Sequence, residues 1–137
     1  QVRPDDAPCE GVVMRYSAKV QQEINKWARE NLDPMFKPHW GAIKVSKANT
    51  YEHNLMVCKV ALALLDEGIP FCTEARLKCG TRPDIIAPTH IRQYIEVLWS
   101  ETPEDFYAKK AHKMPADLLK GVIFVDATKE FEPKMLW

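Results

Sequence analysis

Two carboxylates stand among residues that belong in a core. In the stretch GTRPDIIAPTHIRQYIEVLW, Gly80 to Trp99, Asp84 and Glu96 each interrupt a run of strand-forming residues. A hairpin whose turn centres on His90 leaves both equidistant from it, facing each other across two strands with Cβ atoms about 4.5–5.5 Å apart. A further turn at Cys79 and Gly80 sets Glu74 opposite Asp84 or one residue off, so three acids cross a three-stranded meander. Ionised acids so placed repel, and burying them is costly unless protons or a cation compensate. Mg²⁺ and Mn²⁺ suit such oxygen ligands and retain waters for substrate phosphates. The alternative is a half-exposed sheet on which Glu74 and Glu96 point to solvent and pair with Arg76, Lys78 or Arg92.

A histidine and three lysines extend the pattern. His53, Val57, Val60 and Leu64 follow i, i+4, i+7, i+11 spacing, which sets His53 at the N-terminal end of a buried helical stripe. There it is either a cap or core residue or a metal ligand, and an imidazole in the shell tilts preference from Mg²⁺ toward Mn²⁺. Glu52 competes for the same place. Phosphodiester hydrolysis also needs a cation to hold the attacking water or stabilise developing charge. Lys109, Lys110 and Lys113 follow the Glu96 strand, with a solvated lysine face as the alternative.

The elements that must position these residues follow from periodicity and punctuation. SAKVQQEINKWARENL reads as a helix capped by Ser17, and TYEHNLMVCKVALALLDEG as a longer one stopped by Gly68. Between them DPMFKPHWG is a loop, and AIKVSKA a short strand or a turn. Within FKPHWGAIK, Phe36, Lys37, His39, Trp40 and Lys44 form either a hydrophobic plug or a stacking and phosphate contact. IPFCTEARLKC, TRPDIIAP and IRQYIEVLWS read as strands, ETPEDFYAKKAHKM as a helix ended by Pro115, and GVIFVDA as a buried strand. The fold class is α/β or α+β, a mixed sheet of about four strands flanked by helices.

At 137 residues the chain suits one domain, 1–137, with 1–15 a loose lead-in. It begins at Gln1, so the expectation is a processed terminus or a piece of something larger, with no signal peptide visible. No apolar run nears the ~20 residues of a membrane span. Cys9, Cys58, Cys72 and Cys79 lack paired zinc spacing, which predicts reduced thiols in an intracellular protein. Nineteen basic and nineteen acidic residues cancel, which disfavours a general nucleic-acid coat. A local patch of Lys37, Lys44, Lys47, Lys59, His39 and His53 faces only Glu52 between Pro34 and Lys59. No Gly-rich phosphate loop, serine elbow or catalytic-cysteine signature is present.

RPDIIA followed by YIEV resembles the central motif of the PD-(D/E)xK nuclease superfamily, and the order of elements over residues 50–127 is that of its core. The resemblance implies a restriction endonuclease-like fold and a metal-dependent endonuclease acting on DNA or RNA. Asp84 and Glu96 would be the metal-binding and catalytic pair, with the main-chain carbonyl of Val97 as a further ligand. The superfamily's lysine would stand at Leu98, so either catalysis is lost or the lysine comes from elsewhere. The layout is similar to the cap-snatching endonucleases of influenza-type viral polymerases, which carry a helix histidine, an acid before the PD motif and a Y-x-x-K-A-x-K helix. YAKKAHK, Tyr107 to Lys113, mirrors the last of these. By that similarity His53 and Glu74 join the metals, one or two Mn²⁺ or Mg²⁺ ions, Lys110 is the catalytic lysine and Lys113 supports it. Lys44, Lys59, Arg76 and Lys113 are the candidate nucleic-acid contacts. A catalytically inactive nucleic-acid-binding or interaction module on the same fold is the alternative. The expected setting is the cytoplasm or nucleus, of a host cell if the chain is viral, as a homodimer or part of a larger complex.

Overall fold

The computed structural model describes residues 16–137; the lead-in over 1–15, with Cys9, lies outside them. Helix α1 (Ala18–Asn31) starts where the Ser17 hydroxyl accepts the Val20 N–H at 3.2 Å, and it buries Ile24. Helix α2 (Tyr51–Asp66) starts at Thr50, whose hydroxyl accepts the His53 N–H at 3.1 Å. Its apolar stripe of Met56, Val57, Val60, Ala61 and Leu64 is buried, as the periodicity requires. Gly68, at φ 70°, closes α2: its own N–H donates to Leu65 and the Ile69 N–H to Leu64. That pair of bonds is the Schellman motif, which only a residue tolerant of the left-handed region completes cheaply. AIKVSKA forms no strand.

The sheet has the order β1–β2–β3–β4, from Cys72–Thr73, Ile85–Ile86, Tyr94–Leu98 and Val122–Asp126. Its first three strands are antiparallel and β3–β4 is parallel, which makes a mixed α/β architecture with four helices among the described residues. The long strand expected over IPFCTEARLKC shrinks to two residues because Glu74 adopts φ 57° and turns the chain out of the sheet. Leu77 makes an isolated bridge back to Leu32 at the end of α1 instead.

All five residues of β3 are buried, so both faces of the sheet are covered. Ile85, Ile95, Val97 and Val125 pack with the stripe of α2. Ile86, Tyr94 and Val122 pack on the opposite side with Leu32, Phe106, Met114 and Leu118. The crossover that a parallel pair demands supplies this second layer. It comprises α3 (Pro103–Lys109), a 3-10 turn (Ala111–Lys113) and α4 (Ala116–Lys120). Helix α3 starts at a capping box between Thr102 and Asp105 but ends at Lys109, short of Met114. Pro115 forces extended backbone on Met114, so the chain tightens into the 3-10 turn and restarts as α4, which the sequence reading lacks. Among the described residues no helix is long and apolar enough to cross a membrane. Cys58, Cys72 and Cys79 are free thiols.

If α2 is the main support of the sheet, Leu64→Ala lowers the unfolding free energy by about 2–5 kcal/mol through the cavity it leaves. Thr50→Ala, which removes only a cap, costs about 1 kcal/mol. Urea denaturation midpoints at constant slope check both.

Candidate functional site

The hairpin register builds the site. Ile85 pairs with Ile95 and Ile86 with Tyr94, so one residue further Asp84 faces Glu96, and two further Pro83 faces Val97. The Ala87 N–H donates to the Gln93 carbonyl at 2.8 Å, which makes the odd-numbered pairs the hydrogen-bonded ones. Asp84 and Glu96 therefore form a pair of the other kind, in which opposed side chains approach most closely. At the next hydrogen-bonded position Pro83 has no N–H to offer, so the ladder ends there. The Val97 N–H turns to the Asp84 carboxylate instead, at 2.8 Å to Oδ2, and the Val97 carbonyl has no donor opposite it on that strand.

Both layers reach this end of the sheet. From α2, His53 Nε2 comes within 3.3 Å of Asp84 Oδ1. From the end of α3, Lys110 Nζ lies 2.8 Å from Glu96 Oε2. A cavity of about 210 Å³ opens over the four side chains and Val97, with the loop at Ala48–Thr50 and Glu101 completing its wall.

The charges in this cavity are out of balance. Glu96 is only 3% exposed, and its second oxygen, Oε1, is buried without a partner. Burial, and then the charge of Asp84, push its carboxyl up to about 8 against the opposing pull of Lys110. Burial also raises Asp84, but hydrogen bonds, including those from His53 and the Val97 N–H, outweigh it and leave that carboxyl below its ordinary value. The same bond to Asp84 raises His53. Burial lowers Lys110, but the Glu96 charge beside it raises it further, so the amine keeps its proton at neutral pH.

These donors fit a hard divalent cation in kind. Two carboxylates, an imidazole and a carbonyl released from the ladder share one cavity, and a buried carboxylate oxygen has no partner. Among the described residues no three His, Cys, Asp or Glu side chains are arranged to hold a metal ion as they stand, because His53 and Lys110 already engage the two acids.

Other sequence candidates lie elsewhere. Glu74 follows the register to a position opposite Asp84, yet its backbone turns and its side chain is exposed outside the cavity. Its charge still helps raise His53. Lys113 lines a neighbouring cavity that shares Lys110, and Lys59 lines a separate cleft beside Leu62 and Phe131. Arg76 approaches Asp33 at 3.9 Å, and Lys44 is exposed with its N–H on the Thr73 hydroxyl. Phe36 and Trp40 are half-buried against the second core layer, as a hydrophobic plug would be. Glu101, which lines the cavity and raises Lys110, carried no spacing signal and was missed. Comparison of the chain with protein-family models, curated proteins and solved structures returned no match.

Glu96 makes its own contribution to the pH dependence of stability, beside those of Asp84 and His53. Its folded carboxyl, near 8, holds a proton over a range where the unfolded chain, near 4.5, has lost it. This contribution to stability therefore falls as pH rises from about 4.5 to 8. Glu96→Gln in EDTA should raise stability at pH 8 by about 1–2 kcal/mol and leave it unchanged at pH 4.5, read from thermal melts at both pH values.

Proposed function

We propose that this chain is a metal-dependent endonuclease that hydrolyses phosphodiester bonds in DNA or RNA on a restriction endonuclease-like core. The observation that carries the reading is the buried Glu96 held in register against Asp84, in one cavity with a helix histidine and a helix lysine. The two ion pairs leave one buried Glu96 oxygen without a partner, at a place where an apolar pair would be more stable.

Asp84, Glu96, His53 and the Val97 carbonyl would hold Mn²⁺ or Mg²⁺, and the imidazole favours Mn²⁺. When bound, such an ion supplies Lewis acidity and a nucleophilic water at neutral pH. The protein's own residues supply the rest. One oxygen of Asp84 is held by the Val97 N–H, which orients that carboxylate toward the cavity before any substrate is bound. Lys110 retains its proton and places a positive charge at Glu96, where charge develops on the scissile phosphate. It therefore acts as a cationic stabiliser rather than as a base. Glu74 contributes through its charge on His53.

Leu98 favours a second reading. It occupies the superfamily's lysine position and is buried, so a nucleic-acid-binding module without catalysis is the reading to beat. The two part on one experiment. Labelled single- and double-stranded DNA and RNA are incubated with Mn²⁺, Mg²⁺ or EDTA, and the cleavage rate of wild type is compared with Asp84→Ala and Lys110→Ala. The endonuclease reading expects Mn²⁺-dependent cutting that each substitution slows at least 10²-fold, roughly what one transition-state interaction supplies. Binding without cutting under every condition would favour the inactive module.

A further inference from the structure

A second cavity, of about 180 Å³, shares Lys110 with the acidic one. Its lining is Gly80, Thr81, Arg82, Lys109, Lys110 and Lys113, four cations with no acid among them. In a chain with no net charge, that is a local concentration of one sign beside a cavity rich in the other. Among the described residues Arg82, Lys109 and Lys113 are not paired with an acid.

Two further features point to a ligand. Thr81 is 6% exposed and its hydroxyl is buried without a hydrogen-bond partner, a state that ordinarily costs stability. The segment that carries Thr81 and Arg82 is also pinned. Gly80 turns at φ 90° and donates its N–H to Leu77 at 2.9 Å, and the Leu77 N–H returns to the Thr81 carbonyl at 2.9 Å. The end of α3 and the 3-10 turn supply the lysines, so two separate parts of the chain converge on one small, cationic space. A guanidinium fork with ammonium groups beside it is the donor set that matches a phosphate.

We propose that this cavity seats a backbone phosphate of the polynucleotide strand whose neighbouring phosphodiester occupies the acidic cavity. The inference rests on the endonuclease reading for the identity of the strand. Lys110, common to both cavities, then spans the seated phosphate and the reacting one. The seat fixes the line along which the strand crosses the acids.

Anisotropy of fluorescein-labelled single-stranded DNA and RNA octamers in EDTA tests this without cleavage, using wild type and the Arg82→Gln/Lys113→Gln double variant from 50 to 300 mM NaCl. Both substituted side chains are exposed, so matching thermal melts should show that the variant is folded. A parallel titration with inorganic phosphate follows the amide resonances of Gly80, Thr81 and Arg82. The expected result is at least a tenfold weaker octamer affinity in the variant, with the slope of log K against log salt shallower by about 0.7 for each phosphate charge no longer neutralised. No octamer binding by wild type, or equal affinity and slope in the two proteins, would overturn the proposal. So would phosphate-dependent shifts at Gly80–Arg82 with octamer binding unaffected, which would mark a site for free anions. Failure of the endonuclease reading shows separately, as absence of Mn²⁺-dependent cutting by a wild type that still binds through Arg82 and Lys113.

Discussion

The antiparallel pairing of Ile85 with Ile95 carries Asp84 and Glu96 into opposition one residue later, and the surrounding structure answers to that like-charge contact. Two ionised carboxylates at such a distance in a buried setting cannot be left alone. Pro83 halts the ladder beside them, which frees the Val97 N–H to hold Asp84. His53 arrives from one helical layer and Lys110 from the other, each pairing with one acid. Even so, Glu96 remains partly unsatisfied, with one buried oxygen unpartnered and its carboxyl raised to about 8. A cation among the four groups would complete what these two ion pairs begin.

The location of this contact explains why both layers are needed. Within the sheet, odd-numbered residues of β2 and β3 pack on α2 and even-numbered ones on the side of α3 and α4. At the end of the sheet neither layer covers fully, and the cavity opens between them. The crossover to β4 then has two tasks. It closes the second core through Phe106, Met114 and Leu118, and it delivers Lys110, Lys109 and Lys113 to the border of the acidic cavity. Acid and base thus lie side by side without cancelling, the distribution that the proposed endonuclease would require.

Much of this was legible from residue types and spacing. The turn at His90 fixed the Asp84–Glu96 register because it is symmetric about them, and Thr50 and Gly68 bounded α2 through local hydrogen-bond chemistry that tertiary packing did not override. The stripe that contains Val57, Val60 and Leu64 required a buried face and has one. Glu74 illustrates the opposite case. Its register was right, but a left-handed backbone at a glutamate has no signature in sequence, so its exposure could not be read. The break after Lys109 was likewise hidden, because YAKKAHK has sound helical propensity and only Pro115, acting back through Met114, shortens the helix. Lys110 was singled out by resemblance; its spacing alone did not separate it from Lys109 or Lys113.

A divalent cation that offsets the opposition of Asp84 and Glu96 must register in the melting temperature of wild type and Asp84→Asn as Mn²⁺ is titrated into protein first stripped with EDTA. A ligand that binds only the folded state stabilises it by about 2.7 kcal/mol at a hundred times its Kd. The prediction is a saturable rise of several degrees for wild type that Asp84→Asn largely abolishes. A wild type whose melting temperature ignores Mn²⁺ at millimolar concentration, or a variant that responds equally, would contradict it.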